Sequence, residues 1–146
     1  MDKPKILFLC TGNSCRSQMA EGWTRRLWGD RFEAWSAGME PRPVDPRAIQ
    51  AMAEAGVDIS GQYSKPISTV MDVRFDYVVT LCGSAFENCP YFPGKTVRLH
   101  AGFDDPPSLA ENAATEEEKM APYRRVRDEI RRFIETLPSF LEQGAS

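Results

Sequence analysis

The chain has 146 residues, of which 42% are hydrophobic and 27% charged, and its formal net charge is −3. This balance excludes a protein that draws in nucleic acid or an anionic membrane through its overall charge, so any anion must be held by a local site. No run is long enough to span a membrane and no signal-peptide pattern opens the chain, so a cytoplasmic location is expected, with its four cysteines mostly reduced.

In chain order, residues 5–9 (KILFL) form a short apolar run expected to be a buried strand. Gly12, Asn13 and Ser14 break it. A helix is predicted from about Arg16, because Met19, Ala20, Trp23 and Leu27 recur on one helical face. Residues 32–37 read as a second strand. Asp45 and Pro46 read as the cap and first position of a second helix that stops at Gly56. Residues 57–72 fit either a loop or a short helical segment. Residues 76–81 are the clearest strand and 96–99 a weaker one. A Pro/Gly/Asp-rich loop follows at 101–108, then a polar, acidic stretch at 109–121 read as a mobile insertion or short helix. Glu116, Glu117 and Glu118 within it read as a solvated face. A final helix is expected from about Tyr123, ended or kinked at Pro138, with a frayed tail at 143–146.

Strands alternating with helices predict an α/β fold: a four-stranded parallel sheet flanked by helices on both faces, in one domain spanning residues 1–146. Ligands in such sheets bind beyond the carboxyl ends of the strands, where Cys10 and Cys82 both fall. Trp23, Trp28 and Trp35 read as packing residues.

The segment CTGNSCRS, residues 10–17, places five residues between a cysteine and an arginine at a strand-to-helix link. Such a loop, made of Thr11, Gly12, Asn13, Ser14, Cys15, Arg16 and Ser17, can aim successive N–H groups at an oxyanion. Gly12 permits close approach and the next helix adds its dipole. Arg16 can grip two oxygens with its planar fork. The same positive surroundings favour Cys10 as a thiolate nucleophile, and Ser17 can donate to it. No histidine is needed; the one present, His100, precedes another loop.

These residues resemble the low-molecular-weight tyrosine phosphatases and the arsenate reductases that share their fold. CTGNSCRSQMAEGW, residues 10–23, is similar in particular to the thioredoxin-coupled arsenate reductases. WSAG at 35–38, VVTLCG at 78–83, CP at 89–90, GFDDP at 102–106 and RVRDEI at 125–130 fit the same family in order, so the resemblance covers nearly the whole chain. It implies a phosphatase-like fold with the phosphate-binding loop after the first strand.

Cys82 and Cys89 are separated by GSAFEN. Cys82 shares the strand-end edge with Cys10, and Cys89 follows on a segment able to move. The resemblance implies a relay. Cys10 attacks arsenate (phosphate or sulfate being analogues), a transient Cys10–Cys82 disulfide forms as arsenite leaves, and a Cys82–Cys89 disulfide passes to thioredoxin. No bound cofactor is implied, and Cys15 is given no redox role. A four-thiolate zinc site is the rival reading, but spacings of four and six intervening residues do not match zinc knuckles.

By the family pattern Asp105 is the general acid that protonates the leaving oxygen, while Asp104 reads as a turn cap. Asn13 and Ser36 match residues that in some members help hold the loop, partly through potassium. Here Lys65 stands where those members have an aspartate ligand, with Tyr63 nearby, so a fixed ammonium is expected in place of the ion. Ala101 stands where relatives have tryptophan. A low-molecular-weight tyrosine phosphatase, needing only Cys10, Arg16 and Asp105, is the alternative function, and a non-catalytic thiol or metal protein a third. A monomer is expected.

Overall fold

Four short strands, β1 (Lys5–Cys10), β2 (Glu33–Gly38), β3 (Tyr77–Thr80) and β4 (Val97–His100), pair in parallel in the order β2-β1-β3-β4. The computed structural model describes residues 3–90, 92 and 94–145. β1 lies between two neighbours, and Ile6, Leu7, Phe8 and Leu9 are all fully buried. A strand covered on both faces carries a continuous apolar run, not an alternating one, which is why KILFL was legible. At the edge, β4 alternates half-buried Val97 and Leu99 with exposed Arg98 and His100. The register aligns Cys10 with Gly38 and Leu9 with Thr80, so the strand ends bring Cys10, Gly38 and Thr80 to one edge of the sheet.

Among the described residues six α-helices follow in chain order: α1 (Arg16–Trp28), α2 (Pro46–Glu54), α3 (Gly83–Glu87), α4 (Pro106–Ala110), α5 (Glu116–Glu135) and α6 (Leu137–Ala145). α1 packs on β1, β2 and α5, while α5 also meets α2 and α4. Two tryptophans of α1 tie it to α5: Trp23 Nε1 donates to Arg127 O at 3.2 Å and Trp28 Nε1 to Ile134 O at 2.7 Å. Trp35 packs edge-on to Phe75, with centroids 5.7 Å apart. α2 starts as expected, with Asp45 Oδ1 accepting from Arg47 N at 2.9 Å and Pro46 at the first position. It ends in a Schellman turn, Val57 N to Met52 O and Gly56 N to Ala53 O, around Gly56 at φ +83°.

Several expectations are corrected. The last long helix begins at Glu116, not Tyr123, because Thr115 accepts from Glu118 N while Glu118 Oε2 accepts from Ala114 N. The acidic run is therefore the first turn of α5, where its charge suits the helix dipole, and Glu116 and Glu117 pair with Arg47 and Arg124. Residues 109–121 are no insertion: they hold the end of α4 and the start of α5. Thr136 separates α5 from α6, and Pro138 sits in the first turn of α6, where its missing N–H costs nothing. α6 runs through Ala145, and Ser146 lies outside the described residues. Residues 57–72 form a loop with one 3-10 turn at Ile67–Val70. Between Cys82 and Cys89 stands α3, a short helix with no counterpart in the sequence reading.

Gly38 ends β2 against the loop that follows β1. A Cβ there would lie 2.8 Å from Asn13 N and 2.9 Å from Thr11 O, closer than real contacts allow. Gly38→Ala is expected to push the loop off its geometry and weaken binding of inorganic phosphate by about tenfold or more, with far-UV circular dichroism unchanged. Titration calorimetry checks this; unchanged phosphate affinity would show that the contact at β2 does not set the loop.

Candidate active site

The loop after β1 has its carbonyl groups turned outward. Cys10 O accepts from Met39 N (3.3 Å), Thr11 O from Glu40 N (2.8 Å), Gly12 O from Arg42 N (2.8 Å) and Ser14 O from Asp45 N (2.9 Å). Gln18 Nε2 donates to Asn13 O at 2.9 Å, and Ser64 Oγ to Gly12 O at 3.2 Å. Residues 39–45 thus run as a strap along the back of the loop. Among the described residues, the N–H groups of residues 12–15 have no protein acceptor. A concave loop with its carbonyls engaged behind and its N–H groups free presents partial positive charge to its hollow.

Asn13 shapes the turn. It is fully buried and at φ +50°, a region asparagine tolerates better than most residues. Its Oδ1 accepts from Lys65 N at 3.0 Å, and its Nδ2 donates to Ser17 Oγ at 2.8 Å. Ser17 Oγ lies 2.9 Å from Cys10 Sγ. Since Ser17 accepts from Asn13, its own proton is free to point at the sulfur, the direction that stabilises a thiolate.

Arg16 opens α1 with its side chain largely buried. Its Nη1 donates to Phe103 O at 3.1 Å and its Nη2 lies 3.4 Å from Asp105 Oδ1. The other carboxylate oxygen of Asp105 accepts from Ser108 Oγ at 2.7 Å. Cys10, Arg16, Asp105 and the loop therefore line one cleft of about 250 Å³, closed by Arg42 and Pro107. Asp104 faces away, paired with Arg125 at 3.0 Å. Cys15 also touches the cleft but is 2% exposed. Its thiol is pushed well above the ordinary value by burial and by the charges of Asp45, Cys10 and Asp105, against a smaller opposing pull from Arg16.

All four cysteines are free thiols. Cys82 sits at the N-cap of α3, where its Sγ accepts weakly from Ala85 N at 3.5 Å. Thr11 Oγ1 reaches it at 3.3 Å, so the residue next to Cys10 touches Cys82. Cys89 lies apart, in an open cleft of about 540 Å³ with Phe86, Arg98 and His100. Burial pushes its thiol above the ordinary value, and a hydrogen bond and charge from Arg98 pull it partly back. Among the described residues, no group of three or more His, Cys, Asp or Glu side chains is arranged to hold a metal ion.

Behind the loop, Ser36 Oγ donates to Glu21 Oε1 at 2.6 Å, and Arg25 Nη2 pairs with Glu21 Oε2 at 2.7 Å. Lys65 serves Asn13 through its backbone, while its ammonium lies 4.6 Å from the Tyr63 ring centroid and donates to Tyr63 O at 3.3 Å. Its amine is held below the usual lysine value, first by burial and then by Arg25, with Glu21 opposing. The sequence reading missed the Thr11–Cys82 contact, Glu21, Arg42 and Arg98. Only Glu21 left a signal, as a charged residue on the inner face of a helical pattern.

A model of the low molecular weight phosphotyrosine protein phosphatase family matches residues 5–144. The chain belongs to that family. Its phosphate-loop relatives include the arsenate reductase of Halalkalibacterium halodurans, 51% identical over 144 residues and covering 99% of each chain. A solved arsenate reductase in its phosphate-binding state is 33% identical, covers 93% of this chain and 97% of its own, and superposes with a TM-score of 0.73. The thioredoxin-dependent arsenate reductase of Corynebacterium glutamicum is 27% identical with a TM-score of 0.71, covering 97% of this chain and 63% of that one. The family's four-stranded parallel architecture is the one described above.

The raised Cys89 thiol gives a pH expectation. Burial disfavours the thiolate, so alkylation of Cys89 by iodoacetamide should reach its half-maximal rate above the ~8.5 of a free cysteine. Arg98→Gln should move the midpoint higher still. Mass spectrometry of each peptide against pH measures it, and a midpoint below that of free cysteine would contradict the burial argument.

Proposed function

We propose that the chain reduces arsenate to arsenite, with Cys10 as nucleophile and Cys82 and Cys89 as successive resolving thiols regenerated by thioredoxin. The observation that carries this reading is the Thr11 hydroxyl on Cys82, which ties a second thiol to the anion loop itself. A hydrolytic phosphatase needs no such thiol. The names of the relatives support arsenate as the substrate, and the C. glutamicum protein supports thioredoxin as the reductant.

In this mechanism the N–H groups of residues 12–16 and the Arg16 fork hold three arsenate oxygens, with Ser17 donating to the Cys10 thiolate. Cys10 sulfur forms a bond to arsenic(V), and the departing oxygen leaves as water after taking a proton from Asp105. The Cys82 thiolate then attacks Cys10 sulfur. The S–As bond breaks with its electron pair on arsenic, which leaves as arsenite, and a Cys10–Cys82 disulfide forms. Cys89 attacks Cys82, releasing the Cys10 thiolate and forming Cys82–Cys89. The thioredoxin dithiol supplies the two electrons that reopen it.

Residues 1–146 act as one domain in this reading, supported by the family match over residues 5–144, and a monomer is the proposed state. Among the described residues no helix is long and apolar enough to cross a membrane. The reducing cytoplasm is the proposed setting, because a relay that ends on thioredoxin needs a supply of reduced dithiol. Phosphate-monoester hydrolysis is the second reading, favoured by the Cys10, Arg16 and Asp105 cluster, which is sufficient for it without Cys82.

NADPH oxidation coupled through thioredoxin and its reductase tests the relay. Arsenate-dependent turnover is expected for the wild type and is expected to fall by at least about a hundredfold in Cys10→Ser, Cys82→Ser and Cys89→Ser. Full turnover in Cys89→Ser would sink the three-thiol sequence, and hydrolysis of p-nitrophenyl phosphate without arsenate reduction would favour the phosphatase.

We read the pocket behind the loop as one that needs no potassium ion: Glu21 pairs with Arg25 and accepts from Ser36, Asn13 Oδ1 accepts from Lys65 N–H, and the Lys65 ammonium is turned to Tyr63. The proposal is that these fixed contacts hold the loop instead. Replacing sodium by potassium at constant ionic strength should leave the rate within twofold; marked activation would refute it.

A further inference from the structure

Arg42 has no part in the relay as described, yet it lines the anion cleft beside Cys10, Arg16 and Asp105. It comes from the strap, not the loop, and its N–H to Gly12 O at 2.8 Å fixes its backbone to the loop. Its Cγ and Cδ run along Gly12, 3.7 Å from where a Cβ on that glycine would stand. The residue is exposed, and among the described residues its guanidinium has no ion pair or hydrogen bond. Nearly every other arginine near it is engaged: Arg47 with Glu116, Arg16 with Asp105 and Phe103.

Charge counting shows what such a cation is for. A free oxyanion brings about two negative charges into a cleft that already holds the Cys10 sulfur and Asp105. Arg16 is the only other cation lining it, and Asp105 already draws on that guanidinium. The loop N–H groups and Arg16 cover the oxygens nearest Cys10. The oxygen at the mouth is unsubstituted in a free oxyanion and carries the organic group in a monoester. An arginine placed to meet that oxygen would therefore distinguish the two.

We propose that Arg42 is a second guanidinium that receives the oxyanion at the mouth of the cleft, and that it favours a free oxyanion, whose fourth oxygen is unsubstituted, over a phosphate monoester of similar charge. The inference rests on the reading of this cleft as an anion site. It does not depend on the relay, because binding requires neither Cys82 nor Cys89.

Calorimetric binding of inorganic phosphate and of phenyl phosphate to the full chain tests it, in a Cys10→Ser background to prevent turnover. Arg42→Gln should weaken phosphate about tenfold and phenyl phosphate less, so that the preference shrinks, while Arg42→Lys keeps most of the affinity. The thermal midpoint should not move, since the side chain is exposed. Equal loss for both ligands, or phosphate affinity within twofold of the parent, overturns the proposal. If arsenate reduction fails in the coupled assay but the phosphate preference shifts as stated, the relay is wrong and Arg42 stands.

Discussion

Five consecutive carbonyl groups, from Cys10 to Ser14, point away from the cleft because each has a donor behind it. A peptide group has two ends, so engaging the oxygen at the back turns the N–H to the front. The hollow is therefore built by residues that never face it: the strap at 39–45, Ser64 and Gln18. The buried Asn13 adds the one positive-φ turn the loop needs, and Gly38 gives it room to sit on β2. Asp45 closes the arrangement. Its N–H holds Ser14, one carboxylate oxygen caps α2, and the other accepts from the Tyr123 hydroxyl of α5. Burial and the hydrogen bond to Asp45 hold that phenol well above its usual range, so it remains a donor. Loop, α2 and α5 are thus fixed through a single residue, the loop by its backbone and the two helices by its side chain.

The two clefts have opposite characters, and α3 divides them. The anion cleft is small and rigidly backed, whereas the cleft at Cys89 is about twice as large and open along the edge strand β4. α3 has five residues and one buried side chain, Ala85. A helix that short gains little from its own hydrogen bonds and, with so little packing, is among the cheapest parts of the chain to unwind. A relay that must carry Cys82 from the loop to Cys89 requires such an element. Cys82, at the start of α3, touches Thr11 of the loop, whereas Cys89 follows the helix and lines the other cleft.

What the residues alone revealed follows from how local each cause is. β1 was legible because burial on both faces writes an unbroken apolar run. α2 was legible because Asp45-Pro46 and Gly56 are start and stop signals within its own sequence. α3 was not, since five residues are too few to show a helical period. The start of α5 was misjudged although Thr115 and Glu118 stood at capping spacing, because the stretch before Tyr123 is polar and acidic and shows no apolar helical face. That a loop joins β1 to α1 between Cys10 and Arg16 could be read from Gly12 and its neighbours, whereas the place of Arg42 could not: its position depends on backbone pairing between segments about thirty residues apart. Lys65 shows the same limit, since its backbone N–H, which no sequence pattern marks, is what holds Asn13.

Net charge sharpens the significance of this local geometry. A chain at −3 repels anions at a distance, so affinity must arise within a few ångströms of the loop, where N–H dipoles and arginines outweigh the global field. That division favours selectivity over capture: an anion gains nothing until it is inside the cleft, where its shape and charge are tested against fixed donors. Asp105 adds to the test. Its carboxylate stands 3.4 Å from Arg16, on the same guanidinium that an incoming oxyanion would meet, so an anion gains that donor only in competition with a charge already in place.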